Sequence, residues 1–209
     1  MLGSEPIPVP EMEIRFMKKY PMLFVAATAM AMAGPPLICQ RVEIGTAKSL
    51  PWRNSDGWNG AVASYKLAGL ADETLSILTP SAGVALRMET IRRAAIYAAK
   101  DEAIASQLSA RLLARVVDAE ALSKADSNAW FDAGYYAEAL RQIGFVYRYD
   151  MLSAAEREQW RVRGDGRVLD GRPWIEKAIR MGGKGMEVAL AKTGEYRDAD
   201  LKRLISSSK

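Results

Sequence analysis

The chain contains no histidine and a single cysteine, Cys39. Without histidine there is no Ser-His-Asp or Cys-His catalytic arrangement and no histidine-ligated haem. One cysteine also leaves almost no way to build a protein zinc site, and it excludes an internal disulfide. Charge of one sign is lacking too. The net charge is only +4, far from the concentrated basic field that nucleic-acid binding requires. No apolar run approaches the roughly 20 residues of a membrane-spanning helix. What chemistry remains is that of carboxylates, lysines and tyrosines, and no cofactor is implied.

The longest apolar run, Met22 to Ala33, follows Lys18 and Lys19 and ends in the small residues Ala29, Ala31 and Ala33. A short basic flank, an apolar core of about a dozen residues and an A-x-A-like end form the layout of a secretory signal. The expected cut falls after Ala33, with Ala31 and Ala33 in the small-residue positions and Gly34 as the new first residue. Residues 1–16 carry Glu5, Glu11 and Glu13 among Pro6, Pro8 and Pro10, which does not suit a signal. They read as a non-native or disordered extension before a start at Met17, with the signal over 17–33. The expected location is periplasmic or extracellular; retention of the apolar run would instead anchor the chain in the inner membrane. Ile38, directly before Cys39, is too large for the small residue that normally precedes a lipidated cysteine.

Residues 34–60 are rich in turn-forming residues and include Trp52 and Trp58. They read as an irregular arm that packs Leu50 and Trp52 onto the body, the two tryptophans being alternative contacts for a partner. From Ala61 to residue 205, helix formers dominate and no strand-like alternation persists. Helices are expected over about 61–78, 84–99, 101–122, 127–149, 153–163, 173–181, 186–192 and 196–205, with a frayed 206–209. The second carries Val84, Met88, Ile91, Ala95 and Ala98 at three- and four-residue steps. Glu89 stands three and four residues before Arg92 and Arg93, a favourable ion-pair order that reads as a solvated face. Ala105, Leu108, Leu112, Val116 and Ala119 stripe the third, with Gln107, Arg111, Arg115 and Asp118 facing away. Ser153 to Glu156 form a capping box, and Pro173 suits a first helical turn. The run Gly182-Gly183-Lys184-Gly185 lacks the spacing of a phosphate loop and reads as a turn between helices.

The fold class is therefore all-α, with six or seven helices packed as antiparallel pairs in one domain. Two segments share the pattern G-x-Y-x-x-A: Gly134 to Ala139 and Gly194 to Ala199. They resemble the turn and second helix of tetratricopeptide repeats, in which a glycine ends one helix and an aromatic plugs the gap between two. That resemblance implies a short curved array that binds protein or peptide. The matching residues are packing positions, so it transfers no binding residue.

Aromatic residues concentrate at Trp130, Phe131, Tyr135, Tyr136, Phe145, Tyr147 and Tyr149. They read mainly as core. Tyr135 and Tyr136 lie about 100° apart on a helix, so one is expected to face outward and, with Trp130, to offer a contact for a ligand. The leading function is an exported interaction or scaffold module of the cell envelope, its partner another protein or peptide. One alternative is an envelope enzyme acting on glycan through carboxylates such as Asp132 and Glu138. The other is a membrane-tethered structural protein.

Overall fold

The computed structural model describes residues 35–53, 60–124, 126–148 and 170–193. They are helical: α1 (Pro36–Cys39), a 3-10 turn (Leu67–Gly69), α2 (Leu70–Ile77), α3 (Val84–Ala98), α4 (Glu102–Ala121), α5 (Ser127–Arg148) and α6 (Arg172–Arg180). Residues 187–193 are helical as well. Among the described residues the one strand-like feature is an isolated antiparallel bridge between Trp52 and Ala61.

Local chemistry sets the helix ends. The Asp101 side chain accepts from the N–H groups of Ala103 and Ile104, at 2.9 and 3.2 Å, and caps α4. At the other end Ser123 adopts the left-handed region (φ 51°), and the Lys124 N–H reaches back to the Ala119 carbonyl at 2.8 Å, the six-residue closure of a Schellman turn. Gly182 repeats the device after α6 with φ 89°, and the Gly183 N–H bonds the Ala178 carbonyl. The glycine run is thus a helix-to-helix turn, as its sequence implies. Pro173 lies in the first turn of α6.

The helix expected from residue 61 begins only at Leu67, because Ala61 is engaged with Trp52 and the Val62 N–H donates to the Tyr97 hydroxyl. The arm is largely irregular but contains α1, begun by its own proline. The expected helices at 153–163 and 196–205, the capping box, the second G-x-Y-x-x-A segment, the signal with Ala31, Ala33 and Gly34, and Trp58 lie outside the described residues.

Helix α5 is the hub: α1, α3, α4 and α6 all pack on it. This explains why Tyr135 and Tyr136 are both buried, against the expectation that one faces out. A helix enclosed on several sides has no free face to which 100° of rotation could deliver a side chain. Gly134 does not end a helix; it lies inside α5 where the α6 lead-in crosses. A Cβ there would stand 2.7 Å from the Gly171 carbonyl oxygen and 3.0 Å from the Ile175 nitrogen. Backbone rather than a movable side chain is the obstacle, so the contact requires glycine.

Gly134→Ala gains about 1 kcal/mol of helix propensity but forces α5 and α6 apart, and overpacking of this kind costs about 1–3 kcal/mol. Urea denaturation is expected to show net destabilisation. A stability equal to or above wild type would mean that the two helices do not approach at this point.

Candidate functional site

The sequence Arg87-Met88-Glu89-Thr90-Ile91-Arg92-Arg93 places a charged cluster on α3, and the structure places it inside. Glu89 and Arg92 are fully buried, which corrects the reading of a solvated face. The cause is the arm, whose backbone lies against these side chains. Glu89 accepts from Arg92 Nε and Nη2, both at 2.8 Å, from Arg93 Nε at 2.7 Å and from the Val42 N–H at 3.0 Å. Arg92 Nη1 donates to the Ile38 carbonyl at 2.9 Å, and Arg93 Nη1 to the Leu50 carbonyl at 2.7 Å. Trp52 places its ring against both guanidinium groups, 4.8 and 5.7 Å from centroid to Cζ, and meets Tyr97 edge-on at 6.0 Å. The Tyr97 hydroxyl donates to the Pro51 carbonyl at 2.6 Å. Trp52, a candidate for partner contact, is thus half-buried and occupied by the chain's own arginines. Burial alone would raise the Glu89 carboxyl, but the bonds and charge of Arg92, the Val42 N–H and Arg93 hold it below the usual range.

The two carboxylates of α5 are also enclosed. Asp132 accepts from Arg87 Nη1 at 2.6 Å and from Arg115 Nη1 at 3.0 Å; Arg115, expected to face away, turns inward for this. Arg87 also donates to the carbonyls of Ala82 and Thr79. Burial pushes the Asp132 carboxyl up to about 6, against the opposing pull of Arg87 and Arg115. Glu138 accepts from Arg141 Nη2 at 2.7 Å and from the Gly171 N–H at 3.0 Å. Because α5 runs unbroken through Gly134, Asp132 and Glu138 point to different faces. They do not converge, and no group of three His, Cys, Asp or Glu among the described residues could hold a metal ion.

A third region is at the surface. Ser109, Leu112 and Leu113 of α4, Ala133, Tyr136 and Ala137 of α5, and Trp174 of α6 line a crevice of about 20 Å³. That volume holds roughly one water. Trp174 meets Trp130 edge-on at 5.9 Å, and Lys177 Nζ lies 3.5 Å from the Trp130 ring centre while bonding Glu120 at 3.0 Å. One α4 turn beyond Leu113 comes Val117, 62 % exposed, and Leu122 near the helix end is 68 % exposed. Trp130 is therefore half-exposed beside an apolar strip. The Tyr136 ring lines the crevice from below, its hydroxyl donating to the Ala105 carbonyl, and Tyr135 does not reach the surface. Trp174 was not singled out by sequence. Its signal is the step of three residues to Lys177 on a short helix, legible only once Trp130 is known to be opposite.

No protein-family model matches the chain, and neither a curated protein nor a solved structure shows detectable similarity to it.

Two of these buried carboxylates, Glu89 and Asp132, carry opposite pH signatures. Glu89 titrates below its unfolded value, so its contribution to stability is present at neutral pH and fades as pH falls through the acid range. Glu89→Gln is expected to cost about 3–5 kcal/mol at pH 7, the cost of breaking a buried pair, and less below pH 4. Asp132 titrates above its unfolded value, so its contribution is full below pH ~4 and fades as pH rises through about 6. Asp132→Asn is expected to cost most at pH 4 and progressively less up to pH 7.5. Denaturant midpoints across pH 3.5–7.5 check both, and parallel pH profiles for the two variants would refute the assignment.

Proposed function

We propose that the chain is an exported helical interaction module of the cell envelope, and that it meets its partner, a protein or peptide, along the α4–α6 surface. The observation that carries this reading is the strip of Leu113, Val117, Trp130 and Trp174, apolar and at least partly exposed, with Lys177 and Glu120 at its margin. Aromatic anchors with a charged margin are the composition of protein interfaces. The tetratricopeptide-like resemblance would imply the same kind of scaffold, but Gly134 of its first segment lies within α5 rather than at a helix end, and its second segment lies outside the described residues. Catalysis on glycan finds less support: Asp132 and Glu138 are each closed off by arginine rather than opposed across a cleft.

Export rests on the layout of residues 17–33. No helix among the described residues is long and apolar enough to cross a membrane; in the tethered alternative the anchor is the retained segment 17–33.

Two measurements test the proposal. Intact mass of the chain recovered from its host should give a soluble envelope species beginning at Gly34, and Ala31→Leu with Ala33→Leu should abolish that species. An unprocessed chain in the cytosol would overturn export. A photoreactive residue in place of Val117 should then give a discrete adduct in intact cells that the same residue at Lys66, an exposed position outside the strip, does not. Equal adducts from both positions, or none from Val117, would overturn the interface.

A further inference from the structure

Asp132 joins three helices through one oxygen. Its Oδ2 accepts from Arg87 of α3 at 2.6 Å and from Arg115 of α4 at 3.0 Å. Its Oδ1 is buried and, among the described residues, has no hydrogen-bond partner. The two arginines are not equivalent. Arg87 is fully buried and also donates to the carbonyls of Ala82 and Thr79. Arg115 bonds Asp132 alone among the described residues, and its side chain is 26 % exposed.

The other charges on the helices around Asp132 are engaged elsewhere or stand in water. On α3, Glu89 pairs with Arg92 and Arg93. On α4, Arg111 pairs with Asp72 of α2, and Glu120 pairs with Lys177 of α6; Glu102 and Asp118 are exposed. On α6, Glu176 pairs with Arg172 and Arg180. On α5 itself Glu138 pairs with Arg141, while Asp126, just before that helix, accepts from the Ala129 N–H. Helix α1 carries no charged residue. Arg87 and Arg115 are thus the charges that act on Asp132.

With Asp132 ionised, this cluster carries one net positive charge. A proton taken from solvent at Oδ1 leaves Oδ2 a neutral acceptor and raises that charge to two. The two Nη1 atoms share Oδ2 and so lie within about 6 Å of each other, where like charges repel once no anion separates them. Arg87 is held by two carbonyls and has no water to move into. Arg115 has neither restraint, and a long stem lets its head turn outward without moving the helix.

We propose that Arg115 is a latch operated by protonation. It ties α4 to α5 while Asp132 is ionised, and it swings out beside Asp118 when Asp132 takes up a proton. Burial raises the Asp132 carboxyl to about 6, which sets the pH at which the latch turns. Acid therefore loosens α4 selectively, since the link from Asp132 to α3 through Arg87 remains. Where α4 meets a partner, the latch makes that contact depend on pH. This last consequence rests on the proposed function; the latch itself does not.

Nuclear magnetic resonance of the full-length chain with ¹⁵N-labelled arginine tests the latch, Arg115→Lys identifying the Arg115 Nε–H signal. As pH falls from about 7.5 to about 4.5, that signal should lose its protection against hydrogen exchange. The midpoint should coincide with the titration of the Asp132 carboxyl carbon. The Arg87 signal should stay protected, and the circular dichroism should not change. In Asp132→Asn, the Arg115 signal should be unprotected at every pH. Protection of Arg115 throughout the range, release of Arg87 together with it, or the same titration in Asp132→Asn overturns the proposal. So does loss of helicity over the same range, because acid then unfolds the chain rather than turning one side chain. Should Asp132→Asn fail to fold, the wild-type midpoints decide: coincidence of Arg115 with Asp132 supports the latch, and separate midpoints overturn it.

Discussion

A carboxylate with no exposure to solvent must be given donors, and Glu89 is given four. Ionised carboxylates are among the most costly groups to remove from water, so this one constraint organises what surrounds it. Arg92 and Arg93 cannot donate to Glu89 from arbitrary positions; the spacing of three and four residues on α3 supplies them. Each arginine then has N–H groups left over, and these too must be satisfied. They are taken by the carbonyls of Ile38 and Leu50, which fixes where the arm runs. The arm in turn seals the cluster from water. Helix, charge cluster and arm are therefore a single construction, in which each part supplies what the next lacks.

The same solution recurs on α5. Asp132 is closed by arginines from α3 and α4, and Glu138 by Arg141 and the N–H of Gly171 that precedes α6. Each carboxylate thus ties α5 to a different neighbour. Buried ion pairs contribute little net stability compared with apolar residues of the same volume. Their effect here is on register: sliding α5 by one turn would strand a carboxylate from its arginine and bring Gly134 out of line with the Gly171 backbone. Apolar contacts among alanines and leucines would tolerate such a slip far better.

How much of this the sequence discloses depends on how many sides of a helix are covered. Helix α4 is covered on one side, and its buried residues are the stripe Ala105, Leu108, Leu112, Val116 and Ala119 that periodicity selects. Helix α3 is covered on several sides, by α2, α4, α5 and the arm. Its burial runs nearly unbroken from Arg87 to Ala99, and periodicity marks only about a third of it. The pairing of Glu89 with Arg92 and Arg93 is legible from spacing alone. Its burial is not, because the cover comes from residues some forty positions earlier that carry no regular pattern. Tyr135 and Tyr136 fail as surface candidates for the same reason, while Trp130 lies next to a surface strip because α6 leaves it partly open. Arg115 shows the limit of face assignment for long side chains: it flanks the buried stripe of α4, directly before Val116, and its guanidinium reaches an inward carboxylate.

The distribution of polar groups bears directly on what such a molecule can do. Catalysis by a carboxylate needs lone pairs directed at a substrate; Glu89 and Glu138 accept from arginines and backbone N–H groups of the same fold, and Asp132 gives one oxygen to two arginines while its other oxygen is buried without a hydrogen-bond partner among the described residues. A ligand pocket for a small molecule is commonly about 300–1,000 Å³, whereas the crevice beside Trp174 has about 20 Å³ and takes at most part of a side chain. The α4–α6 region offers instead a shallow relief of aromatic and aliphatic groups beside a lysine–glutamate pair. Such a surface yields useful affinity only when a partner covers much more than the crevice, on the order of 800 Å² on each side. A partner of that extent is a macromolecule. The crevice would then position one of its side chains, while Trp130 and Trp174, already braced against each other and against Lys177, would supply contact area at little further loss of side-chain freedom.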